Sequence, residues 1–108
     1  RGLWDFPRWE LDGVPHRGKL SECSVASARR QLQERFRVLL PGAIAVGDLI
    51  HETRHSVTRY RIRLLCFEGV TEFIDRLPPG WRAVPIEELN TLPMSVTGRQ
   101  LANKLTLD

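Results

Sequence analysis

Ser24-Val25-Ala26-Ser27-Ala28-Arg29-Arg30-Gln31-Leu32-Gln33-Glu34-Arg35-Phe36-Arg37-Val38-Leu39 is the stretch on which the fold turns. Val25, Ala28, Leu32, Phe36 and Leu39 recur at steps of three and four, so a helix from about Ser24 to Leu39 collects them on one face. Arg29, Arg30, Gln33, Glu34 and Arg37 cover the other faces. Ser21 or Ser24 can cap its start through the side-chain oxygen, and Pro41-Gly42 stops it.

The sequence on either side supplies strands. Residues 43–51 are β-rich and interrupted by Gly47-Asp48. From Val57 to Phe67 the residues alternate, with Tyr60, Ile62, Leu64 and Cys66 pointing one way and Arg59, Arg61, Arg63 and Leu65 the other. That predicts a strand with one basic edge or face. An acidic connection follows over 68–79, then a short strand at Trp81-Arg82-Ala83-Val84, then a helical turn that Pro85 begins at Ile86-Glu87-Glu88-Leu89. Thr97 to Leu105 predicts a last helix, with Leu101 and Leu105 paired at i, i+4 and Thr97 as cap. Upstream, residues 12–20 form a Gly- and Pro-containing loop, and residues 1–11 are extended, because Pro7 excludes a helix there. The order predicts a small α/β (α+β) domain, a mixed sheet with flanking helices.

The chain has 108 residues, enough for one compact domain, with 42% hydrophobic and 27% charged residues, ordinary for a globular protein. No apolar run approaches the roughly 18–20 residues that span a bilayer, and the N-terminal residues lack the layout of a signal peptide. Cys23 and Cys66 lie far apart without a CxxC spacing, which argues against a disulfide framework or a zinc site and for reduced thiols in the cytosol. The net charge of +3 permits a polyanionic partner without demanding one. Its distribution says more: basic residues cluster at 29–37 and 54–63, acidic ones at 68–75 and 87–88. There is no P-loop, dinucleotide fingerprint or nucleophile elbow. His51 and His55 sit four apart, about 13 Å in an extended segment, and no Cys or carboxylate cluster completes a ligand set, so no metal is expected. Trp4, Trp9 and Trp81 are expected to line the core or a groove.

Gly2-Leu3-Trp4-Asp5-Phe6-Pro7 resembles the segment that opens the substrate groove in the C-terminal, Nudix-like domain of the MutY adenine DNA glycosylases. A Nudix box has the form G-x5-E-x7-R-E-U-x-E-E-x-G-U, U being a bulky apolar residue, and its helical glutamates hold divalent cations against a diphosphate. Glu22, Arg30, Leu32, Glu34 and Val38 fall in that register. His16 and Arg37 stand at its glycines, and Gln31 and Arg35 replace two of its three clustered glutamates. A cationic Arg35 repels a metal, and Glu34 alone cannot hold a metal cluster. The box is degenerate: a helix kept, a catalyst lost. Alternatively, Glu22, Arg30 and Glu34 are only the solvated face of an amphipathic helix.

Arg54-His55-Ser56-Val57-Thr58-Arg59-Tyr60-Arg61-Ile62 is similar to the family's strand of the type H-x-[FYV]-[ST]-[HR]-[FY]-[KR]-[ILV]. The resemblance implies that His55, Val57, Thr58, Arg59 and Arg61 face DNA and the oxidised guanine. Thr58 keeps a hydroxyl, Val57 is too small to stack as the family's Phe would, and Arg59 can reach a phosphate or a purine edge. Arginines alternating along a strand also serve simply to keep a sheet edge soluble. The segment Leu92 to Leu101 resembles the family's closing motif, in which a helix start and Arg99 favour an anion. It can equally be an ordinary surface helix.

The resemblance spans nearly the whole chain. It implies a Nudix-like α/β/α sandwich over residues 1–108, a single C-terminal domain cut from a longer protein. Its function would be recognition of 8-oxoguanine opposite adenine in base excision repair, inside a bacterial, cytoplasmic and nucleoid-associated adenine DNA glycosylase. This domain would not be an enzyme by itself and would carry no cofactor. The catalytic acid and an iron–sulfur cluster would sit in a helical N-terminal domain. Its partners would be double-stranded DNA containing the 8-oxoguanine:adenine pair and the catalytic domain of the same chain, with no membrane. A divergent Nudix hydrolase of nucleoside diphosphate derivatives, with Glu22 and Glu34 as residual ligands, is the competing expectation, and a protein-interaction module is a third.

Overall fold

The computed structural model describes residues 2–42, 44–57, 59–71 and 77–107, with the side chains of His55, Val57 and Leu107 outside that description. It is a small mixed α+β arrangement: helix α1 (Glu22–Leu39), strands β1 (Ala45–Val57) and β2 (Tyr60–Val70), a 3-10 helix (Ile86–Thr91) and helix α2 (Val96–Leu107). Among the described residues the sheet is two-stranded and antiparallel, and no helix is long and apolar enough to cross a membrane. The chain divides into two compact units, Trp9–Pro78 and Arg1–Arg8 with Pro79–Asp108.

In the Trp9–Pro78 unit, α1 begins at Glu22, two residues earlier than expected. Of the two serines, Ser21 is the cap: its Oγ accepts from the Ser24 N–H at 3.1 Å, and Glu22 in the first turn suits the helix dipole. Ala28 is fully buried, as its place on the apolar face requires. The far end differs from expectation. Leu40, not Leu39, is the buried residue, at 7% exposure against 37% for Leu39 and 78% for Val38. Leu40 leaves helical geometry at φ −137° and ψ 73° while its N–H still bonds the Phe36 carbonyl, so the chain swings its side chain inward. Trp9 packs edge-on against Phe36, with ring centroids 5.1 Å apart.

The strands also run differently. Gly47-Asp48 does not interrupt β1. The register slips once between Val46 and Leu49 and again between Leu49 and His51, so this stretch carries bulges inside one long strand. Gly47 leaves room for the Glu68 side chain, whose Cγ a Cβ there would meet at 2.9 Å. The alternating stretch beginning at Val57 is not one strand but two. Val57 closes β1 against Tyr60, the first residue of β2, with two residues between them. β2 then runs on to Val70, taking in Glu68, which the sequence places in the acidic connection; 72–76 of that connection lie outside the described residues.

Arg63 departs most from the expected basic face. Its side chain is only 5% exposed and pairs with Glu52 on β1. Its remaining donors reach the carbonyls of Pro15 at 3.0 Å and Gly18 at 2.6 Å. Arg63 thus ties the loop of residues 12–20 to the sheet. Its hydrogen bond to Glu52 holds that carboxyl below the ordinary glutamate range, although burial works against it.

The other unit is built around α2. No strand forms over residues 2–11 or 81–84; Trp4 alone makes a parallel bridge to Met94. Its N–H donates to Pro93 O at 2.7 Å and its carbonyl accepts from Ser95 N–H at 3.1 Å. The cap of α2 is Ser95, whose Oγ accepts from Gly98 N–H at 3.0 Å, rather than Thr97. Thr97 lies inside the first turn and accepts from Arg8 at 2.7 Å. Arg8 also pairs with Asp5. Leu89 and Ala102 are this unit's buried apolar residues.

Two consequences can be measured. Glu52→Gln leaves Arg63 without its charge partner and should cost about 1–3 kcal/mol at pH 7 by denaturant unfolding. The folded-state pKa of Glu52 is lowered, so its contribution is full above the unfolded value of about 4.3 and is lost as pH falls through the folded value. The gap between wild type and variant should therefore close in acid. Gly98→Ala should destabilise by about 1 kcal/mol despite the better helix propensity of alanine, because its Cβ would sit 2.8 Å from Asp5 Oδ1 and 2.9 Å from the capping Ser95 Oγ.

Candidate functional site

The end of the β1–β2 hairpin gathers the cations expected to face DNA. Arg59 lies in the turn, and Arg61 is the second residue of β2, paired across the ladder with Ser56. Both are exposed, and among the described residues neither makes an ion pair. Arg54, opposite Arg63, is partly used: it approaches Glu52 at 3.5 Å and the Gly18 carbonyl at 3.4 Å. The backbones of His55 and Val57 pair with Ile62 and Tyr60, but their side chains lie outside the described residues, as does Thr58 entirely. Tyr60, which alternation places on one side with Ile62, Leu64 and Cys66, is 73% exposed. The hydrogen bonds from α1 engage β1 and its approach at Ile44, Val46 and Gly47, the opposite end of the hairpin. Burial along β2 accordingly starts only at Ile62.

The helix residues that fall in the register of a Nudix box lie in a second region. Arg30, Gln31, Glu34, Arg35, Val38 and Leu39 line an open groove of about 650 Å³ with Trp9 at its side. Trp9, expected in the core or a groove, is partly buried, packs on Phe36 and lines this groove. Glu34 is engaged by Arg37 at 2.7 Å, an exposed pair worth little stability. Glu22 borders a separate depression with Leu20, Val25, Ala26 and Arg29. Glu34 lies twelve residue steps along the helix from Glu22, about 18 Å at 1.5 Å per residue, so the two carboxylates cannot share an ion. Among the described residues no three His, Cys, Asp or Glu side chains converge as metal ligands.

Gln31 has a structural use on α1. Its Oε1 accepts from Asp12 N–H at 2.9 Å and its Nε2 donates to Asp12 O at 2.8 Å, one amide matched to both backbone groups of one residue. Gln33 bridges two residues on another face, accepting from Val46 N–H at 2.8 Å and donating to Ile44 O at 2.9 Å. Arg29 adds a bond to Gly47 O at 2.9 Å and lies 5.9 Å from the centre of the Phe67 ring. Sequence reasoning misses these roles. The available signal is glutamine, a residue with donor and acceptor together, twice on one turn of helix.

Arg99 is drawn away from the expected anion site at the start of α2. Its NH1 donates to the Leu89 carbonyl at 2.9 Å, and its NH2 donates to that of Leu92. The guanidinium therefore satisfies the carbonyls that end the 3-10 helix. It belongs to a different unit from Arg59 and Arg61.

Gln31→Glu would place a carboxylate against the Asp12 carbonyl and remove the only donor to it from this side chain. Thermal and denaturant unfolding should register a loss of about 1–3 kcal/mol, with no compensating rise in midpoint on adding Mg²⁺ or Mn²⁺. A divalent-dependent rise would mean that the position can still serve a metal.

No protein-family model matches the chain, and comparison with curated proteins and with solved structures gives no significant match.

Proposed function

We propose that this chain is a DNA lesion-recognition module, the Nudix-like C-terminal part of an A/G-specific adenine DNA glycosylase, which inspects 8-oxoguanine opposite adenine. What carries this is the use made of the box helix. Gln31 occupies a metal-ligand position of a Nudix box and spends both its polar atoms on the Asp12 backbone, while Arg35 adds positive charge beside Glu34. A cation site is disfavoured there on charge and on hydrogen bonding alike. The hairpin end, by contrast, offers Arg59 and Arg61 without acidic partners among the described residues, at the place where the sequence resembles the lesion-contacting strand.

On this view the arginines hold phosphates and fix the register of the module on the duplex, and groups of the hairpin tell the oxidised purine from guanine. Guanine and 8-oxoguanine differ by an N7–H donor and an O8 acceptor, so discrimination needs a polar group placed against that edge. Thr58 has the chemistry for it. The α/β/α sandwich of the Nudix domains is the architecture that goes with this proposal.

Anisotropy titration of the chain with duplexes containing 8-oxoguanine:adenine or guanine:adenine should give tighter binding to the lesion. Replacing Arg59 and Arg61 together by Ala should weaken binding to both duplexes alike. It should also flatten the slope of log K against log salt by about 0.9 for each phosphate no longer neutralised. Equal affinity for the two duplexes, or release of pyrophosphate from nucleoside diphosphate derivatives with Mg²⁺, would overturn the proposal.

A further inference from the structure

Tyr60 is a large aromatic residue standing exposed at the start of a strand. It is 73% exposed at the first position of β2, and no hydrogen bond, ring contact or cation–π contact engages it among the described residues. Burial of a tyrosine side chain is normally among the larger apolar contributions to a fold, and here it is forgone. The neighbours are specific too. Arg59 precedes it in the turn and Arg61 follows it in the strand, both exposed and both without an acidic partner among the described residues. The pleat sends Arg61 to the opposite face from Tyr60, so the adjacent guanidinium does not cover the ring. An open π-face flanked by free cations, at the end of a two-stranded ribbon, is the composition that holds an unstacked nucleobase with its phosphates.

We infer that Tyr60 is the stacking residue of the hairpin, receiving a base exposed at the lesion while Arg59 and Arg61 hold the adjoining phosphates. This rests on the proposed DNA-inspecting role and adds to it the aromatic contact that Val57 is too small to make. A β-ribbon is narrow enough to enter the major groove, so the ring can approach a base that has left the stack without the rest of the sheet colliding with the duplex. Stacking on the ring tolerates any base, so Tyr60 contributes affinity and opening of the helix, while sequence and lesion identity are read elsewhere on the hairpin.

The test uses the whole chain and an 8-oxoguanine:adenine duplex carrying 2-aminopurine beside the lesion, with wild type, Tyr60→Phe, Tyr60→Leu, Tyr60→Ala and the Arg59→Ala/Arg61→Ala double variant. Circular dichroism and melting confirm that each variant folds, which the exposure of Tyr60 predicts. Tyr60→Phe should bind as wild type does and should give the same change in 2-aminopurine fluorescence. Tyr60→Leu and Tyr60→Ala should lose about 5- to 150-fold in affinity, the fold-change of stacking one base, together with the fluorescence change. If wild type prefers the lesion and the arginine variant binds weakly while Tyr60→Ala binds normally, the stacking role is wrong and the DNA-inspecting role survives. If Tyr60→Phe falls as far as Tyr60→Ala, the hydroxyl and not the ring is what matters, and stacking is again overturned. If wild type has no preference for the lesion duplex, both fall together.

Discussion

Helix α1 is held in its unit by side-chain amides that act as extra pieces of backbone. A glutamine terminus carries one acceptor and one pair of donors, the same complement that a residue in a strand presents to its neighbour. Gln31 matches the N–H and C=O of Asp12, and Gln33 matches Val46 N–H and Ile44 O. Each amide satisfies two backbone groups, Gln31 in the loop before the helix and Gln33 at the start of β1. That matters here because the apolar contribution is modest: in this unit only Ala28 and Leu40 are buried among the described apolar residues, and no large side chain is fully enclosed. Where so little apolar surface is enclosed, hydrogen bonds that fix the helix to the loop before it and the strand after it decide its place.

The same constraint limits chemistry. A helix that grips backbone through Gln31 cannot at the same position hold a metal, because a carboxylate has no proton to give the Asp12 carbonyl. The choice between clamp and cage is made by the terminal atom of one side chain. The charge around it agrees, since Arg30 and Arg35 line the same groove and Glu34 is neutralised by Arg37. The sheet's ion pair follows a similar logic. Arg63 looks like one more arginine of a solvent-facing row, but Glu52 and the carbonyls of Pro15 and Gly18 take up its donors and bury it. Its charge then serves the loop and not a ligand, which leaves Arg59 and Arg61 as the free cations of the described part of the hairpin.

How far this is legible in the sequence varies with the physical signal. The long helix is legible because its apolar period is sustained, although Leu40 displaces Leu39 once the last residue leaves helical geometry. The 3-10 helix after Pro85 and the last helix are legible from proline and the i, i+4 leucines. The hairpin is not. The residues between Val57 and Tyr60 are Thr-Arg, without the Asn-Gly or Gly-X that usually announces a hairpin, so alternation runs on unbroken in the sequence and reads as one strand. The bulges in β1 read as an interruption because Gly47-Asp48 has the composition of a turn. Trp81 to Val84 has strand propensity but forms none, since propensity without a neighbouring strand does not make a sheet. Arg99 misleads for a different reason: its role as a cap for the 3-10 helix depends on a partner ten residues back that no local pattern encodes.

Exposed apolar residues are common on proteins, so exposure by itself assigns nothing. Val38, Val96 and Tyr60 are exposed to similar degrees, and chemistry separates them. Val96 is an aliphatic residue in the first turn of α2. Val38 lies in a groove whose cations are accompanied by the Glu34–Arg37 pair, and a branched aliphatic side chain has no face on which a planar ligand gains more than contact. Tyr60 has a π-face, a backbone paired to Val57, and exposed arginines before and after it in sequence. A side chain with few rotatable bonds on a paired strand loses little entropy when it is used, which is what suits an exposed tyrosine at a ribbon end to binding. The hairpin end therefore brings a paired backbone, exposed charge and an aromatic plane together.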